Sequence, residues 1–280
     1  MIKLKAYVET AILADVLIKT GSESDAAKDA LRRYKHTLLP VYAIKEFKAG
    51  PLAYVSYLNT KLLDCGSYPA TLMALSRVVK QPNRVATCLR LLSELHNEIV
   101  NQPQTPGLVT QYGSLAEADK RIYASLVYES KVLVLKAWLR CSTLTTEIVD
   151  DLVCYERVAP KVRRNGRYNL QPTTCKTEDC CMTSKLRDRS IELNKLVTTI
   201  KKEPAKRENP PRQRVLHDLA VRKNFKMKDK DCKNLGDAVF ALFCPADADI
   251  LTTNISDHRP LAEALGKTAV SPKDVVSSKP

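Results

Sequence analysis

The sequence predicts an α/β fold: a small parallel-sheet α/β/α core split by a mainly α-helical insertion. Three observations carry that reading. Short apolar runs of strand character, Lys5-Ala6-Tyr7-Val8 and Asp249-Ile250-Leu251-Thr252-Thr253, stand near opposite ends of the chain. Between them, from Leu52 to about Arg140, apolar residues recur at helical spacing. Hydrophobic residues make up 44% of the 280, enough for a core and too many for a wholly disordered chain.

The elements follow in order. Tyr7 and Val8 suit a buried strand, and a helix begins at Thr10, where Ala11-Ile12-Leu13-Ala14 follows. Gly21 to Asp25 is a loop rich in capping residues, after which Asp25 to His36 reads as a second helix. Leu38-Leu39-Pro40 is a short apolar run, and Val41 to Lys48 a third helix that stops at Gly50-Pro51. Leu72, Leu75, Val78 and Val79 share one helical face, as do Val85, Leu89, Leu92 and Leu95. Gln102 to Gly107 is an interhelical loop, and Ala116 to Arg140 a long amphipathic helix. Tyr155 to Thr177 reads as a basic loop short of apolar residues. Helical periodicity returns over Met182 to Lys201, pauses at a linker from Glu203 to Arg212, and resumes over Val215 to Val221 and Leu235 to Phe243. His258 to Leu265 closes the pattern as a helix. The expected organisation is therefore a core in two parts, 1–60 and 214–270. A helical insertion, 61–213, separates them, basic and Cys-containing over 155–213, and 271–280 form a flexible tail.

The net charge is +14, and it is concentrated. Tyr155 to Lys233 holds 22 Lys+Arg against 10 Asp+Glu, a surplus of 12, so the rest of the chain is nearly neutral. A surface of this sign attracts polyanions over roughly 8–10 Å, and nucleic acid is the usual partner. A solvated, solubility-promoting surface is the alternative. No apolar run approaches the ~18–20 residues of a membrane span, and the N-terminus lacks the apolar stretch of a signal peptide, so the expectation is a cytoplasmic protein with no membrane contact.

Four acids occupy positions that an α/β fold can bring together. Glu9 closes the first strand, Glu46 lies in the third helix, Asp237 opens the helix Asp237-Ala238-Val239-Phe240-Ala241-Leu242, and Asp257 follows the last strand with Asn254 between. Ligands of open α/β sheets bind at the carboxyl ends of the strands. Carboxylates gathered there repel one another, and an oxygen-rich site of this kind selects Mg²⁺ or Mn²⁺. The bland alternative for each acid is a helix cap or a solvated charge.

These segments resemble the motifs of the PIN domain nucleases. Lys5-Ala6-Tyr7-Val8-Glu9-Thr10-Ala11-Ile12-Leu13 is similar to the family's opening strand, acid and helix, and Leu39 to Phe47 to its second motif, a helix carrying a Glu. The strongest similarity is C-terminal: Leu235-Gly236-Asp237-Ala238-Val239-Phe240-Ala241-Leu242, then Asp249 to His258. It covers roughly residues 1–60 and 214–270 and leaves the middle aside. The resemblance implies a PIN-like fold and metal-dependent hydrolysis of phosphodiester bonds, usually in RNA. It makes Glu9, Glu46, Asp237 and Asp257 catalytic, with Glu9, Asp237, Asn254 and Asp257 as metal ligands. Thr10 and Thr253 would hold carboxylates by hydrogen bonds. An inhibitor protein, found beside toxin members of the family, is a further partner it implies. One departure is chemical: Glu9 stands where the family usually has Asp, which moves the carboxyl by about 1 Å. The other is the 191-residue spacing between Glu46 and Asp237, which demands an insertion. A PIN-like module with a degenerate site, binding RNA or protein without cutting, is the alternative; a mainly helical DNA-binding or scaffold protein is a third.

Outside these motifs, Cys154, Cys175, Cys180 and Cys181 cluster in the basic segment, with Cys232 as a substitute ligand. Structural Zn²⁺, unpaired thiols and a disulfide all remain open, since no CxxC occurs. Cys65, Cys88, Cys141 and Cys244 read as core residues. Arg163-Arg164-Asn165-Gly166-Arg167-Tyr168 combines guanidinium groups with an aromatic ring, so Arg163, Arg164, Arg167 and Tyr168 are candidates for nucleic-acid contact. His258 is a candidate phosphate contact. Dinucleotide and P-loop signatures are absent from the sequence.

Overall fold

The computed structural model describes residues 3–79, 82–101, 114–149, 161–162, 167–170, 181–202 and 209–277. Its strands are β1 (Lys5–Val8), β2 (His36–Pro40), β3 (Glu147–Val149), β4 (Lys161–Val162), β5 (Tyr168–Asn169), β6 (Ala248–Leu251) and β7 (Thr268–Val270). Five of them form one all-parallel sheet in the order β3-β2-β1-β6-β7, and β4 and β5 make a separate antiparallel pair. The protein is thus an α/β fold.

β1 is the central strand, and Tyr7 pairs with Leu38 on one side and Ile250 on the other. Ala6, Tyr7, Val8, Leu39, Ile250 and Leu251 are fully or nearly fully buried, as expected where helices cover both faces of a parallel sheet. Each parallel connection requires a crossover, and these carry the helices. From β1 to β2 run α1 (Thr10–Leu17) and α2 (Ser22–Arg33). From β2 to β3 run α3 (Val41–Ala49), α4 (Pro51–Cys65), α5 (Tyr68–Ser76), α6 (Pro82–Val100) and α7 (Leu115–Cys141). Before β6 come α8 (Cys181–Arg187), α9 (Ser190–Lys202), α10 (Asn209–Val221), α11 (Asp229–Leu235) and α12 (Asp237–Phe243). α13 (Ile255–Ala264) joins β6 to β7, and α14 (Pro272–Ser277) ends the described chain.

The helical middle packs on itself and on the core. α7 lies against α4, α6 and α1. Its 27 residues span about 40 Å, and Ser114 caps it by accepting from the Glu117 amide at 3.2 Å. A buried amide ties α4 to α7: Asn59 Nδ2 donates to Ser130 Oγ at 2.9 Å and to the Val127 carbonyl at 3.1 Å. Among the described residues no helix is long and apolar enough to cross a membrane.

The 61–213 segment is mainly helical, as expected, and also carries β3, which extends the sheet. Thr37 and Thr146 start that pairing, each backbone amide donating to the other's hydroxyl at 2.9 Å. Within the tail expected over 271–280, Pro272–Ser277 form α14, which packs on α2 and buries Pro272 and Val275. The linker expected over 203–212 has its last residues in α10, where Asn209 and Arg212 are buried. The second helix also begins earlier and ends sooner than expected, because His36 belongs to β2.

Candidate functional site

The site forms at the carboxyl ends of the two central strands. β1 ends at Val8, and Glu9 follows as the N-cap of α1, its Oε2 accepting from the Ala11 amide at 2.9 Å. The same oxygen accepts from Thr252 Oγ1 at 3.0 Å, and the Glu9 amide donates to the Leu251 carbonyl at 3.1 Å. The first acid is therefore fixed to the end of β6 as well as to its own helix. Glu46, on α3, accepts from Thr10 Oγ1 at 2.8 Å. Asp237 opens α12 with both oxygens matched: Arg212 Nη2 donates to Oδ2 at 2.8 Å, and His258 Nε2 lies 3.3 Å from Oδ1. Phe240 lines the same region, edge-on to His258 at 5.6 Å and to Tyr42 at 5.6 Å.

Electrostatics bind these groups into one unit. Burial pushes the Glu9 carboxyl up, the His258 charge opposes that, and Asp237 adds to it. Burial raises Glu46 to about 7, helped by the charges of Glu9 and Asp237. Asp237 is driven the other way: burial would raise it, but the hydrogen bond and charge of His258 and the Arg212 guanidinium hold it at about 2. Asp237 in turn raises His258 against the burial that lowers it. Three carboxyls, a guanidinium and a buried imidazole thus share a partly buried site, in which each proton affinity depends on the others.

Of the predicted residues, Glu9, Thr10, Glu46 and Asp237 come together. Asn254 and Asp257 form a neighbouring group at the start of α13, where Asn254 Nδ2 donates to Asp257 Oδ2 at 2.7 Å. Thr253 is exposed and lies against Asp15, whose carboxyl it helps hold down. The carboxylate-holding role falls to its neighbour Thr252, fully buried and bonded to Glu9. His258, expected as a phosphate contact, is fully buried and turned to Asp237. Arg212 is the participant that the sequence reading missed. It sits in what reads as a linker, and only its place in the basic segment marks it.

The other candidates fare differently. Tyr168 is buried and its hydroxyl donates to the Lys131 carbonyl at 2.8 Å, so its ring is not available for stacking on a base. Arg167 pairs with Asp64. Arg163 and Arg164 lie outside the described residues, as do Cys154, Cys175 and Cys180 and the side chain of Cys181. Cys232 is a buried thiol against Met182 and Lys45.

A divalent ion fits the chemistry of this site better than its present arrangement. The donors are carboxylate oxygens, and Glu9 and Glu46 repel each other and Asp237, as expected of ligands that a cation would relieve. Yet among the described residues no group of three His, Cys, Asp or Glu is poised around one ion position. Arg212 and His258 hold the Asp237 oxygens instead. No family model matches this chain, and no curated protein or solved structure is significantly similar to it.

Proposed function

We propose that the protein is a PIN-like, Mg²⁺- or Mn²⁺-dependent nuclease that hydrolyses phosphodiester bonds, RNA being the substrate class favoured by the motif resemblance. The observation that supports this is the convergence of Glu9, Glu46 and Asp237, spread over 228 residues of chain, at the carboxyl end of a parallel sheet. Such an edge is where open α/β folds bind their ligands.

Glu9, Glu46 and Asp237 would hold the ion, which supplies activation of water and charge for the phosphoryl oxygens. The remaining work belongs to the chain. Ala11 N and Thr252 orient Glu9, and Thr10 orients Glu46. Partial burial strengthens the charge interactions among these groups. Arg222, Lys223, Lys226, Lys228 and Lys230 are exposed on the segment that leads through α11 to Asp237, and they would supply phosphate contacts. Structural Zn²⁺ in the cysteine segment stays a separate proposal.

A second reading, a binding module that holds RNA or a protein without cutting, is favoured by the matched oxygens of Asp237. Incubating the purified chain with single-stranded RNA and Mn²⁺ separates the two. Cleavage that Asp237→Asn abolishes while binding persists is the expected result. Binding with no cleavage at any Mn²⁺ concentration gives the site to the second reading.

A further inference from the structure

Arg212 contributes to the acidic cluster in a way that the nuclease reading does not require. Its side chain is 10% exposed, and its Nη2 is 2.8 Å from Asp237 Oδ2. Among the described residues Asp237 is its one acceptor, while the buried Nε has none. A guanidinium buried with an unsatisfied donor is costly to maintain. Gly236 lies beside it in a φ +44° conformation that favours glycine. The helix carrying Arg212 comes from a different part of the chain than the strand ends that carry Glu9 and Thr252. The cation therefore reaches the site from outside the sheet.

Three carboxyls gathered at one partly buried site favour positive charge beside them. Here the chain itself supplies it, to the one carboxylate that both neighbouring acids sense. We propose that Arg212 is a resident counter-cation: it holds the Asp237 oxygen that a divalent ion would take, so metal loading requires the guanidinium to leave. This rests on the acidic cluster being the metal site. Arg212 is then a gate on loading, and a phosphate group arriving at the site is a natural acceptor for the displaced guanidinium, which pairs with phosphate as readily as with carboxylate.

The test measures Mn²⁺ binding to the full chain, by the electron paramagnetic resonance signal of the free ion, alongside melting curves with and without Mn²⁺. Arg212→Gln should bind Mn²⁺ about tenfold tighter than the unaltered chain. It should melt lower without the ion and regain that loss when Mn²⁺ is added. Should Arg212→Gln fail to fold, Arg212→Met, an apolar replacement of similar length, carries the same expectation. The double variant Arg212→Gln/Asp237→Asn removes both charges and should lose the gain. Equal or weaker Mn²⁺ binding by a folded Arg212 variant, with measurable binding by the unaltered chain, overturns the gate and leaves the metal site standing. No Mn²⁺ binding by either chain at millimolar ion overturns the gate and the metal reading together.

Discussion

Thr252 donates its hydroxyl to Glu9 across 3.0 Å, a bond between residues 243 positions apart in the chain. It closes the sheet around the first acid, because Thr252 N also donates to the Val270 carbonyl at the edge strand β7. The bond is fully buried on the Thr252 side. Thr252→Val keeps the shape and removes the donor, so it should cost about 1–3 kcal/mol in denaturant unfolding. Thr253→Val, one residue on and exposed, should fall within about 0.5 kcal/mol of the unaltered chain. In a cleavage assay the first substitution should lower the rate through a misplaced Glu9, and the second should not.

Glu46 makes stability depend on pH near neutrality. Its carboxyl titrates at about 7 in the folded chain against an ordinary 4.5. The folded state therefore binds this proton more tightly than the unfolded state, and stability falls as pH rises from about 4.5 to about 7. The full penalty above that window is on the order of 3 kcal/mol. Glu9, also raised, acts in the same direction. Asp237 acts oppositely: held at about 2, it contributes stability above its ordinary 3.8 that is lost as pH falls toward 2. Urea unfolding of Glu46→Gln across pH 4.5–7 should give a flatter profile than the unaltered chain. An unchanged slope would mean that Glu46 is not the titrating group.

The central strands were readable because β1 and β6 are short apolar runs followed directly by a helix start, and burial on both faces permits such runs. Glu9 and Asp237 were readable for a related reason, since each stands where an apolar element begins, whereas Glu46 lies inside α3 and was marked by the motif it resembles. β3 was not, since three residues after a 27-residue helix carry no periodicity of their own and pair only because Thr146 meets Thr37. Thr252 and Thr253 are indistinguishable by type, and only the path of the strand decides which one turns inward. Arg212 was hidden because a basic residue directly after Pro210-Pro211 reads as linker, and its partner lies 25 positions away. Tyr168 shows the opposite error. An aromatic among arginines reads as a stacking platform, yet its ring is needed to cover the core.

The C-terminal helix is structural. Val275 is fully buried, α14 packs on α2, and Arg33 Nη1 donates to the Val275 carbonyl at 3.2 Å. Val275→Ala should lower stability by about 1–3 kcal/mol, read as a shift of the denaturant midpoint without change in slope. Ending the chain after Ser271 removes Pro272 as well and uncovers the side of α2 on which α14 packs, so it should cost more than the point change. Equal stability would return this segment to the role of a loose tail.

The proposed nucleic-acid contact has a second candidate in the exposed basic segment that precedes α11. Arg167 is engaged by Asp64, and Tyr168 is committed to the core. Lys223, Lys226 and Lys228 are exposed, and no acid lies between Arg222 and Lys228. Each phosphate they neutralise should contribute about 0.7–0.9 to the slope of log affinity against log salt. Replacing all three by Ala should therefore flatten the slope by about 2–3 for single-stranded RNA in a filter-binding titration. Arg222 is the weaker contributor, because Asp218 holds its Nε at 3.1 Å. Tyr168→Phe removes only the hydroxyl bond to Lys131, so it should cost about 1 kcal/mol of stability and leave the salt slope unchanged. If the triple substitution leaves the slope intact while Arg163→Ala/Arg164→Ala flattens it, the polyanion is gripped by the basic excursion and not by the segment from Arg222 to Lys230.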